Sequence, residues 1–330
     1  MISNTLEIPN SKENTRFRKK SNCNESESWV DSSECWAWKG ISLPSVYNYK
    51  LRILAVTWNM CGAGIPPDIS DIINTDAMHH LYIFSTQECL RSIAMSLMYS
   101  NKSAWEKKIK NALGSDYYLV ASKTLGASHL AIFGHKSLKH FIYNVETSSL
   151  STGFFNMISN KGGIGISMNI LSKKLLFIGC HIISGQDKVS KRNKDLNLIE
   201  KKFSTNMEAD CTILLGDLNY RISGHIEAID YFISEGLNRK LKPMDQLRNE
   251  MHLGNVLPGY AEGEIEFPPT YKYKIGSGQL DTQNERIPSW TDRIMYKDVV
   301  GILKQKSYNS IHSNVVSDHK PVFSQFVLKI

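Results

Sequence analysis

Nine short apolar runs recur from residue 50 onward, and they limit the folds that are open to this chain. Each run is four to eight residues long and is rich in Ile, Val, Phe or Tyr, which favour β-strands. The runs cover residues 52–58, 81–85, 117–122, 130–134, 164–170, 175–182, 212–216, 293–296 and 321–328. Many of them are apolar at successive positions and not only at alternate ones, which predicts strands buried on one or both faces.

Helical patterns separate several of these runs. Residues 92–113 predict one or two helices, and residues 187–203 carry apolar side chains at 189, 196, 199 and 203 with charged residues between them. Strands outnumber helices, so we expect two packed β-sheets with helices outside them in a single domain.

The first 45 residues differ in composition from the rest. They are rich in Asn, Ser, Glu and Lys without a hydrophobic period, which predicts a disordered extension over 1–45 before a folded domain over 46–330. The basic cluster RFRKK at 16–20 is a candidate for contact with acidic lipid, although a solvated tail is the favoured interpretation.

Charge and cysteine content restrict the partners and the compartment. The chain has 39 Lys and Arg against 32 Asp and Glu, and this mild excess indicates an anionic partner without identifying it. Six cysteines form no CxxC pair, which favours a reducing compartment and therefore the cytoplasm. We find no signal peptide and no apolar stretch long enough to span a membrane, so any membrane contact is expected to be peripheral.

Six of the apolar runs have a polar residue with catalytic potential at one end. These residues are Asn59, Glu88, His181, the Asp217 and Asn219 pair, Asp292, and the Asp318 and His319 pair. Each of them alone has an ordinary explanation, such as a turn, a helix cap or a buried core histidine. Their repeated position at strand ends predicts that they converge on one rim of the sheets.

The residue types indicate the chemistry of that rim. Carboxylate and amide oxygens are hard ligands that suit Mg²⁺, and the absence of cysteine from the set argues against zinc. A metal ion, a carboxylate that orients water and two histidines together suit the transfer of a phosphoryl group to water.

At this point the sequence resembles a known family. It contains, in order, TWNMCG (57–62), STQE (85–88), NKGGIGIS (160–167), CHIISGQDKVSKRNKDL (180–196), GDLNYRI (216–222), FPPTYKY (267–273), PSWTDRI (288–294) and SDHKPV (317–322). This set resembles the inositol polyphosphate 5-phosphatases of the endonuclease/exonuclease/phosphatase superfamily. The resemblance implies a DNase I-like four-layer α/β sandwich, in which two facing, mostly antiparallel sheets are flanked by helices.

The resemblance also implies roles for individual residues. Glu88, Asn59 and Asp318 match the Mg²⁺ site. Asp217 matches the residue that activates the attacking water, and Asn219 matches a phosphate contact. His181 and His319 match residues that hold the scissile phosphate, and Asp292 matches the carboxylate that orients His319.

Basic and aromatic positions of the same motifs are the predicted substrate contacts. Glycines beside Lys161 are expected to let the backbone approach a phosphate closely. Guanidinium and phenol groups suit a polyanionic inositol ring. The predicted substrate-binding residues are Lys161, Arg192, Asn193, Tyr220, Arg221, Tyr271 and Lys272.

The implied reaction is Mg²⁺-dependent removal of the 5-phosphate from phosphatidylinositol 4,5-bisphosphate, phosphatidylinositol 3,4,5-trisphosphate or soluble inositol polyphosphates, and the sequence does not choose among them. We expect a monomer that contacts membranes peripherally and binds no nucleic acid. Phe154, Phe155 and Met157 are candidates for insertion into a bilayer, with packing beneath their loop as an equal alternative.

Three other functions are alternatives to removal of the 5-phosphate. A nuclease of the same superfamily would share the catalytic set but lack the inositol-binding motifs. A catalytically inactive lipid-binding scaffold would have lost Glu88, Asp217 or His319, and all three are present. Sphingomyelin hydrolysis does not explain the many phosphate-binding cations.

Overall fold

A computed structural model describes residues 50–73, 78–90, 102–153, 161–281 and 286–330. The predicted extension over 1–45, the basic cluster at 16–20 and the residues Phe154, Phe155 and Met157 lie outside these ranges. All the described residues belong to one unit, Pro44–Ile330.

Twelve strands form two six-stranded sheets, which we call the first and the second sheet. The first sheet has the order β11-β12-β1-β2-β4-β3, and the second has the order β5-β6-β7-β8-β10-β9. The strands are β1 Lys50–Asn59, β2 Leu81–Gln87, β3 Tyr117–Leu125, β4 Ser128–His135, β5 Ile142–Ser151, β6 Gly162–Ile170, β7 Lys173–His181, β8 Cys211–Asp217, β9 Ala261–Glu262, β10 Asp292–Asp298, β11 Leu303–Ser310 and β12 Val322–Lys329.

Most strand pairs are antiparallel, as the resemblance implied. Each sheet contains one parallel pair, β1 with β2 in the first and β7 with β8 in the second. The remaining pairs in both sheets are antiparallel. The parallel pairs matter for function because parallel strands end at the same edge of a sheet.

Five helices are described outside the sheets. They are α1 Ser70–Ile73, α2 Ser103–Leu113, α3 Val189–Asn206, α4 Ile226–Ser234 and α5 Gln246–His252, with 3₁₀ turns at Lys136–Leu138 and Asn238–Met244. The prediction over 187–203 is confirmed by α3. Of the prediction over 92–113, the described part contains α2.

Alternating side chains of the strands build three apolar layers. Ile53 of β1 and Phe177 of β7 belong to the cluster between the two sheets. Their neighbours in the chain point the other way: Leu54 packs with Trp105 of α2, and Ile178 packs in the cluster that contains α3. Strands buried on both faces in this way explain why the sequence runs are continuously apolar, and they confirm the four-layer sandwich.

Three described strands, β5, β9 and β11, and three described helices, α1, α4 and α5, were not predicted from the sequence. Strand β5 is an edge strand with mostly exposed side chains, and β11 is the edge strand of the other sheet. Edge strands bury little apolar surface, so their sequences stay polar and lack the run that marked the others. Helices α4 and α5 are short, which left too few turns for a clear period. None of the described helices is long and apolar enough to cross a membrane.

Glycines in β6 allow helix α3 to approach the second sheet. A Cβ atom on Gly165 would lie 2.6 Å from the Phe203 ring, and one on Gly163 would lie 2.6 Å from Ile199. A Cβ on Gly162 would lie 2.0 Å from the carbonyl oxygen of Leu150. The glycines of the NKGG motif therefore serve strand pairing and helix packing, and a close approach of their backbone to a phosphate stays a prediction.

This packing predicts a large cost for one added methyl group. We expect Gly165→Ala to lower the free energy of unfolding by about 1–3 kcal/mol, because α3 must move away from the sheet to accommodate it. Gly64→Ala is the matched control, since a Cβ there meets no atom within 4 Å. Urea denaturation of both variants tests this, and equal stability of the two would contradict the packing argument.

Candidate active site

The ends of both sheets meet at one rim, which we call the catalytic rim. In the second sheet, His181 of β7 and Asp292 of β10 are the register partners of Asp217 on either side. In the first sheet, Asn59 ends β1 beside Gln87, and Glu88 is the next residue. The structure thus brings together the polar strand ends that the sequence predicted to converge.

The Asp217 carboxylate is the centre of the rim. It is 1% exposed, and its Oδ2 accepts a 2.9 Å hydrogen bond from Nδ2 of Asn59, so the bond joins the two sheets. Its Oδ1 accepts from the backbone N–H of Asn219 at 3.1 Å. Burial alone would raise the pKa of Asp217, but the hydrogen bond from His181 and the charges of His319 and Lys161 outweigh it and lower the pKa well below its usual range.

Glu88 lies beside Asn59 and Asp217, with the Asn59 amide nitrogen toward both carboxylates and the Asn59 Oδ1 accepting from the backbone N–H of Cys61 at 2.9 Å. Glu88 adopts a left-handed backbone conformation, with φ of 48°, directly after β2, and its carboxylate stays about a quarter exposed. Nδ2 of Asn59 lies 3.5 Å from Oε1 of Glu88. The left-handed turn therefore holds the carboxylate at the open side of the rim and keeps it out of the core.

These donors suit a hard cation such as Mg²⁺. Mg²⁺ usually takes one or two carboxylates and completes its octahedron with water and substrate oxygens, so it needs no closed protein cage. Among the described residues there is no group of three or more His, Cys, Asp or Glu arranged as a complete metal site. Oδ1 of Asp318 is buried and accepts no hydrogen bond from an N–H or O–H of the described chain, which leaves it available to a cation near the rim.

His181 lies fully buried between the two carboxylates. Its Nε2 is 3.4 Å from Oδ2 of Asp217 and 3.8 Å from Oε1 of Glu88, and it is in contact with Nζ of Lys161. Burial lowers the pKa of His181, and the neighbouring Lys161 charge lowers it further. The imidazole is therefore neutral at physiological pH. Burial lowers the pKa of Lys161 as well, although the charges of Asp217 and Glu88 oppose that shift.

His319, unlike the neutral His181, is positively charged. Its Nδ1 lies 2.8 Å from Oδ2 of Asp292, which also accepts hydrogen bonds from the hydroxyls of Thr270 and Thr291. Burial alone would lower the pKa of His319, but Asp292, Asp217 and Asp318 raise it to about 9. The structure thus places a cationic imidazole opposite the Asp217 carboxylate.

A small hydrogen-bonded clamp holds His319 and Asn59 together. The buried Ser317 hydroxyl donates to the backbone oxygen of Asn59 at 2.7 Å and accepts from the backbone N–H of His319 at 3.1 Å. Nε1 of Trp58 donates to the carbonyl oxygen of His319 at 3.1 Å. Ser317 and Trp58 were not among the predicted residues, although they lie within the SDHKPV and TWNMCG motifs.

Four of the predicted substrate contacts lie at the rim. Lys161 touches His181, and Nζ of Lys272 lies 3.1 Å from Oδ2 of Asp318. The Tyr271 ring packs on the His319 ring with 4.5 Å between their centroids. The Arg221 guanidinium lies 4.6 Å from the centroid of the same Tyr271 ring. The sequence reasoning missed Arg286, whose Nη1 donates to the Tyr271 hydroxyl at 2.8 Å.

Asn219 is held in place by its neighbours. Its backbone is left-handed, with φ of 55°, and its Nδ2 donates to the carbonyl oxygen of Ile182 at 3.0 Å. Its Oδ1 accepts from Nη2 of Arg221 at 2.6 Å. The amide predicted to contact a phosphate is therefore oriented by a strand end and a guanidinium.

Three predicted substrate contacts lie beneath the rim and not on it. Arg192 is 0% exposed and donates to Gly185 O and to Oε1 of Gln246, and its guanidinium packs on the fully buried Tyr220 ring. The Tyr220 hydroxyl donates to Oδ1 of Asn193 at 2.7 Å. These side chains bond to protein groups beneath the rim. The structure therefore places them in support of the site, whereas the sequence predicted that they contact the substrate.

A second buried network lies beside them and was not predicted. Arg293 of the PSWTDRI motif is 0% exposed and pairs with Asp245 at 3.0 Å and with Glu262 at 2.6 Å. Asp245 also accepts from the backbone N–H of Arg248 and so caps α5. Arg293 therefore ties the strand that carries Asp292 to the segment beside it, and a buried guanidinium between two carboxylates requires both partners.

With this geometry in view, comparison with known proteins is decisive. A family model described as "Endonuclease/Exonuclease/phosphatase family 2" matches residues 56–325. Type IV inositol polyphosphate 5-phosphatase 11 of Arabidopsis thaliana is 32% identical over 290 residues, which cover 84% of this chain and 83% of the plant protein. The chain belongs to the inositol polyphosphate 5-phosphatases.

Other members of the family are longer. Phosphatidylinositol polyphosphate 5-phosphatase type IV of Homo sapiens is 30% identical over 306 residues, which cover 85% of this chain and 46% of the human protein. The chain thus spans about half the length of the mammalian relatives that it matches.

Solved structures agree with the fold. The inositol polyphosphate 5-phosphatase domain of SPsynaptojanin, in complex with inositol (1,4)-bisphosphate and calcium ion, aligns with a TM-score of 0.76 and 29% identity, covering 86% of this chain and 85% of that domain. A Cimex nitrophorin aligns with a TM-score of 0.73 and 20% identity, covering 85% of this chain and 99% of its own, and it shows the shared fold alone. The four-layer sandwich is therefore the fold of this 5-phosphatase family.

The charge state of His319 can be measured directly. We expect the His319 ring in metal-free protein to titrate at about 9 by NMR, and Asp292→Asn to bring the value down toward the ordinary 6.5. Because the folded-state pKa is raised, its stabilising contribution is complete below about 6.5 and disappears as the pH rises through about 9. His181 is the internal control, since its pKa is lowered; an unchanged His319 titration in Asp292→Asn would contradict the pairing.

The buried position of Arg192 predicts a loss of stability. Arg192→Ala removes the donor to Gln246 and the packing on Tyr220, and we expect the free energy of unfolding to fall by about 2–4 kcal/mol. Lys272→Ala should leave it within about 0.5 kcal/mol, because Lys272 is partly exposed and its ion pair is solvated. Denaturation curves that show a larger loss of stability for Lys272→Ala than for Arg192→Ala would contradict the supporting role of Arg192.

Proposed function

We propose that this chain removes the 5-phosphate from inositol phosphates, with phosphatidylinositol 4,5-bisphosphate, phosphatidylinositol 3,4,5-trisphosphate and soluble inositol polyphosphates as the candidate substrates. The observation that carries the proposal is that two hydrogen-bonded pairs lie together at the catalytic rim. They are Asn59 with Asp217 and Asp292 with His319. Relatives named phosphatidylinositol 4,5-bisphosphate 5-phosphatase and phosphatidylinositol 3,4,5-trisphosphate 5-phosphatase support the substrate class.

The proposed cofactor is Mg²⁺, held by Glu88 and Asn59 with Asp318 close to the site. When bound, the ion would screen the phosphate oxygens and stabilise the oxygen that leaves. The calcium ion of the related synaptojanin domain supports a divalent cation in this family. The partly exposed carboxylate of Glu88 and the open Oδ1 of Asp318 support the same conclusion from this chain.

Asp217 is the proposed partner of the attacking water. Its lowered pKa keeps it ionised at physiological pH, so it accepts a hydrogen bond from water at all times. A carboxylate of low pKa is a weak base, so most of its contribution is orientation of the water. Asn59 fixes the carboxylate for this task through the 2.9 Å bond.

His319 and Lys161 are the proposed stabilisers of charge on the phosphoryl oxygens. The raised pKa of His319 makes it a cation at physiological pH, and both residues lie at a rim that is largely shielded from water, where a fixed charge acts more strongly than in bulk solvent. Asp292 holds the His319 ring with its Nε2 side toward the rim. The neutral His181 and the oriented Asn219 amide are the proposed hydrogen-bonding contacts of the same phosphate.

Substrate orientation is proposed to come from Tyr271, which packs on His319, and from Lys272 and Arg221, which lie beside the Tyr271 ring. Lys161 contributes from the opposite side. A guanidinium and ammonium groups at one rim suit a ring that carries a second phosphate next to the one removed. This arrangement supports a preference for inositol rings phosphorylated at adjacent positions.

We further propose that the protein is a cytoplasmic monomer that meets membranes peripherally and does not bind nucleic acid. The four described cysteines are free thiols, which suits a reducing compartment. A lipid substrate would require the catalytic rim to face a bilayer.

Phosphate release from paired substrates tests the reaction. We expect release from phosphatidylinositol 4,5-bisphosphate vesicles and from inositol 1,4,5-trisphosphate, none from phosphatidylinositol 4-phosphate, and loss of activity with EDTA that added Mg²⁺ restores. Asp217→Asn should lower kcat by about 10²–10⁴-fold, whereas Asp230→Asn on the exposed side of α4 should not. Cleavage of an abasic-site DNA duplex without phosphate release would instead indicate a nuclease.

A further inference from the structure

We propose that a hairpin beside the catalytic rim, Lys272–Asp281, docks on an anionic lipid surface through Ile275 and Lys274. This inference rests on the proposed function, because it assumes a substrate embedded in a bilayer. It assigns a membrane contact to Lys274 and Ile275, which directly follow the FPPTYKY motif.

The hairpin starts within the active site. Its first residue, Lys272, pairs with Asp318, and the backbone N–H of Tyr273 donates to the carbonyl oxygen of Asp318 at 2.9 Å. The preceding Tyr271 packs on His319. The base of the hairpin therefore lies against the two residues that end the SDH motif, and its position is tied to theirs.

Backbone hydrogen bonds hold the two arms together. The N–H of Asp281 donates to the carbonyl oxygen of Lys272 at 2.8 Å, and the N–H of Lys274 donates to that of Gln279 at 2.8 Å. The turn between them includes Gly276 with φ of 83°. The N–H of Gly276 also donates to the carbonyl oxygen of Val315 at 2.8 Å, so the tip is braced against the loop before β12.

The apolar residue of this tip has no place in the core. Ile275 is 60% exposed, although its neighbours are fixed by the backbone bonds of the turn. A single exposed Ile is common on protein surfaces and means little by itself. Here the exposed Ile lies at the end of a braced projection, roughly four residues or about 13 Å along the chain from Tyr271.

The charge of the segment suits an anionic surface. Lys272 and Lys274 are on the arm that leads to Ile275, and the hairpin's acidic residue, Asp281, lies at its base, away from the tip. An apolar tip flanked by lysines is the pattern of a residue that enters the headgroup region while the ammonium groups contact anionic lipids. A protein partner would not require this pairing of charge and apolar tip.

The location of the hairpin beside the catalytic rim favours a lipid bilayer as the surface that its tip contacts. A phosphoinositide whose phosphate reaches His319 is still anchored in its bilayer, so the bilayer lies on the open side of the rim. The hairpin starts at Lys272, next to the Tyr271 ring that packs on His319, and we place its exposed tip on that same side. The tip then adds an apolar and electrostatic contact that the soluble inositol phosphate cannot use.

Two variants and one control test the inference. Ile275→Asp and Lys274→Ser change the tip without touching the catalytic rim. Val299→Asp is the control: Val299 is 65% exposed but follows Asp298, the register partner of Cys211 at the far end of β8, so it lies at the end of the second sheet opposite Asp217.

Vesicle binding is measured by co-sedimentation with phosphatidylcholine–phosphatidylserine vesicles that contain no phosphoinositide. We expect Ile275→Asp to weaken binding about tenfold and Lys274→Ser about fivefold, with no change for Val299→Asp. Binding of the unchanged protein should fall with added salt. Failure of the unchanged protein to bind these vesicles, or full binding by Ile275→Asp, would overturn the proposal.

Activity separates docking from catalysis. The value of kcat/KM toward phosphatidylinositol 4,5-bisphosphate in vesicles should fall with vesicle binding, and kcat/KM toward soluble inositol 1,4,5-trisphosphate should stay constant. Equal losses on both substrates would show that the hairpin shapes the catalytic rim, and would reject docking. If no substrate loses phosphate to the unchanged protein, the proposed function fails, while the vesicle measurement still decides whether the tip binds lipid.

Discussion

The hydrogen bond between Asn59 and Asp217 is the contact on which the catalytic rim depends. It joins the end of a strand in the first sheet to the end of a strand in the second, and both side chains are almost fully buried. A buried carboxylate is costly unless it is charge-compensated and hydrogen-bonded. Asp217 meets that requirement with Asn59, the Asn219 N–H and the charges of His319 and Lys161, so the same contacts that make its burial tolerable also assemble the site.

The fold supplies the rigidity that this arrangement needs. Each sheet contains one parallel strand pair, β1 with β2 and β7 with β8, and these pairs bring polar residues to one edge. The apolar layers on both faces of the sheets hold the strand ends in place. Under the rim, Arg192 and Arg293 are buried and hydrogen-bonded to neighbouring segments, so the segments that carry Asn219 and Asp292 rest on fixed neighbours.

Much of the site could be predicted from the sequence, and the misses have physical causes. Residues at strand ends were predictable because buried strands have a strong apolar signal and the polar residue after each run stands out. Arg192 and Tyr220 were assigned to substrate because motifs record which residues occur and not which way they face; both are buried and bond to each other's neighbours. Ser317, Trp58 and Arg286 were missed because their partners are far away in the chain. The edge strands β5 and β11 were missed because edges bury little apolar surface.

The sequence by itself determined the strand runs, the polar residues that end them and the family to which the chain belongs. These follow from local composition and short motifs, which need no knowledge of distant contacts. Only the tertiary structure decided which side chains face the rim and which support it from below, and how the charges are distributed over two histidines. His181 and His319 are the same residue type, and each lies at or close to the end of a strand. Burial beside Lys161 keeps His181 neutral, whereas pairing with Asp292 keeps His319 charged. Their charge states depend on neighbours brought together by folding, and no local pattern contains that information.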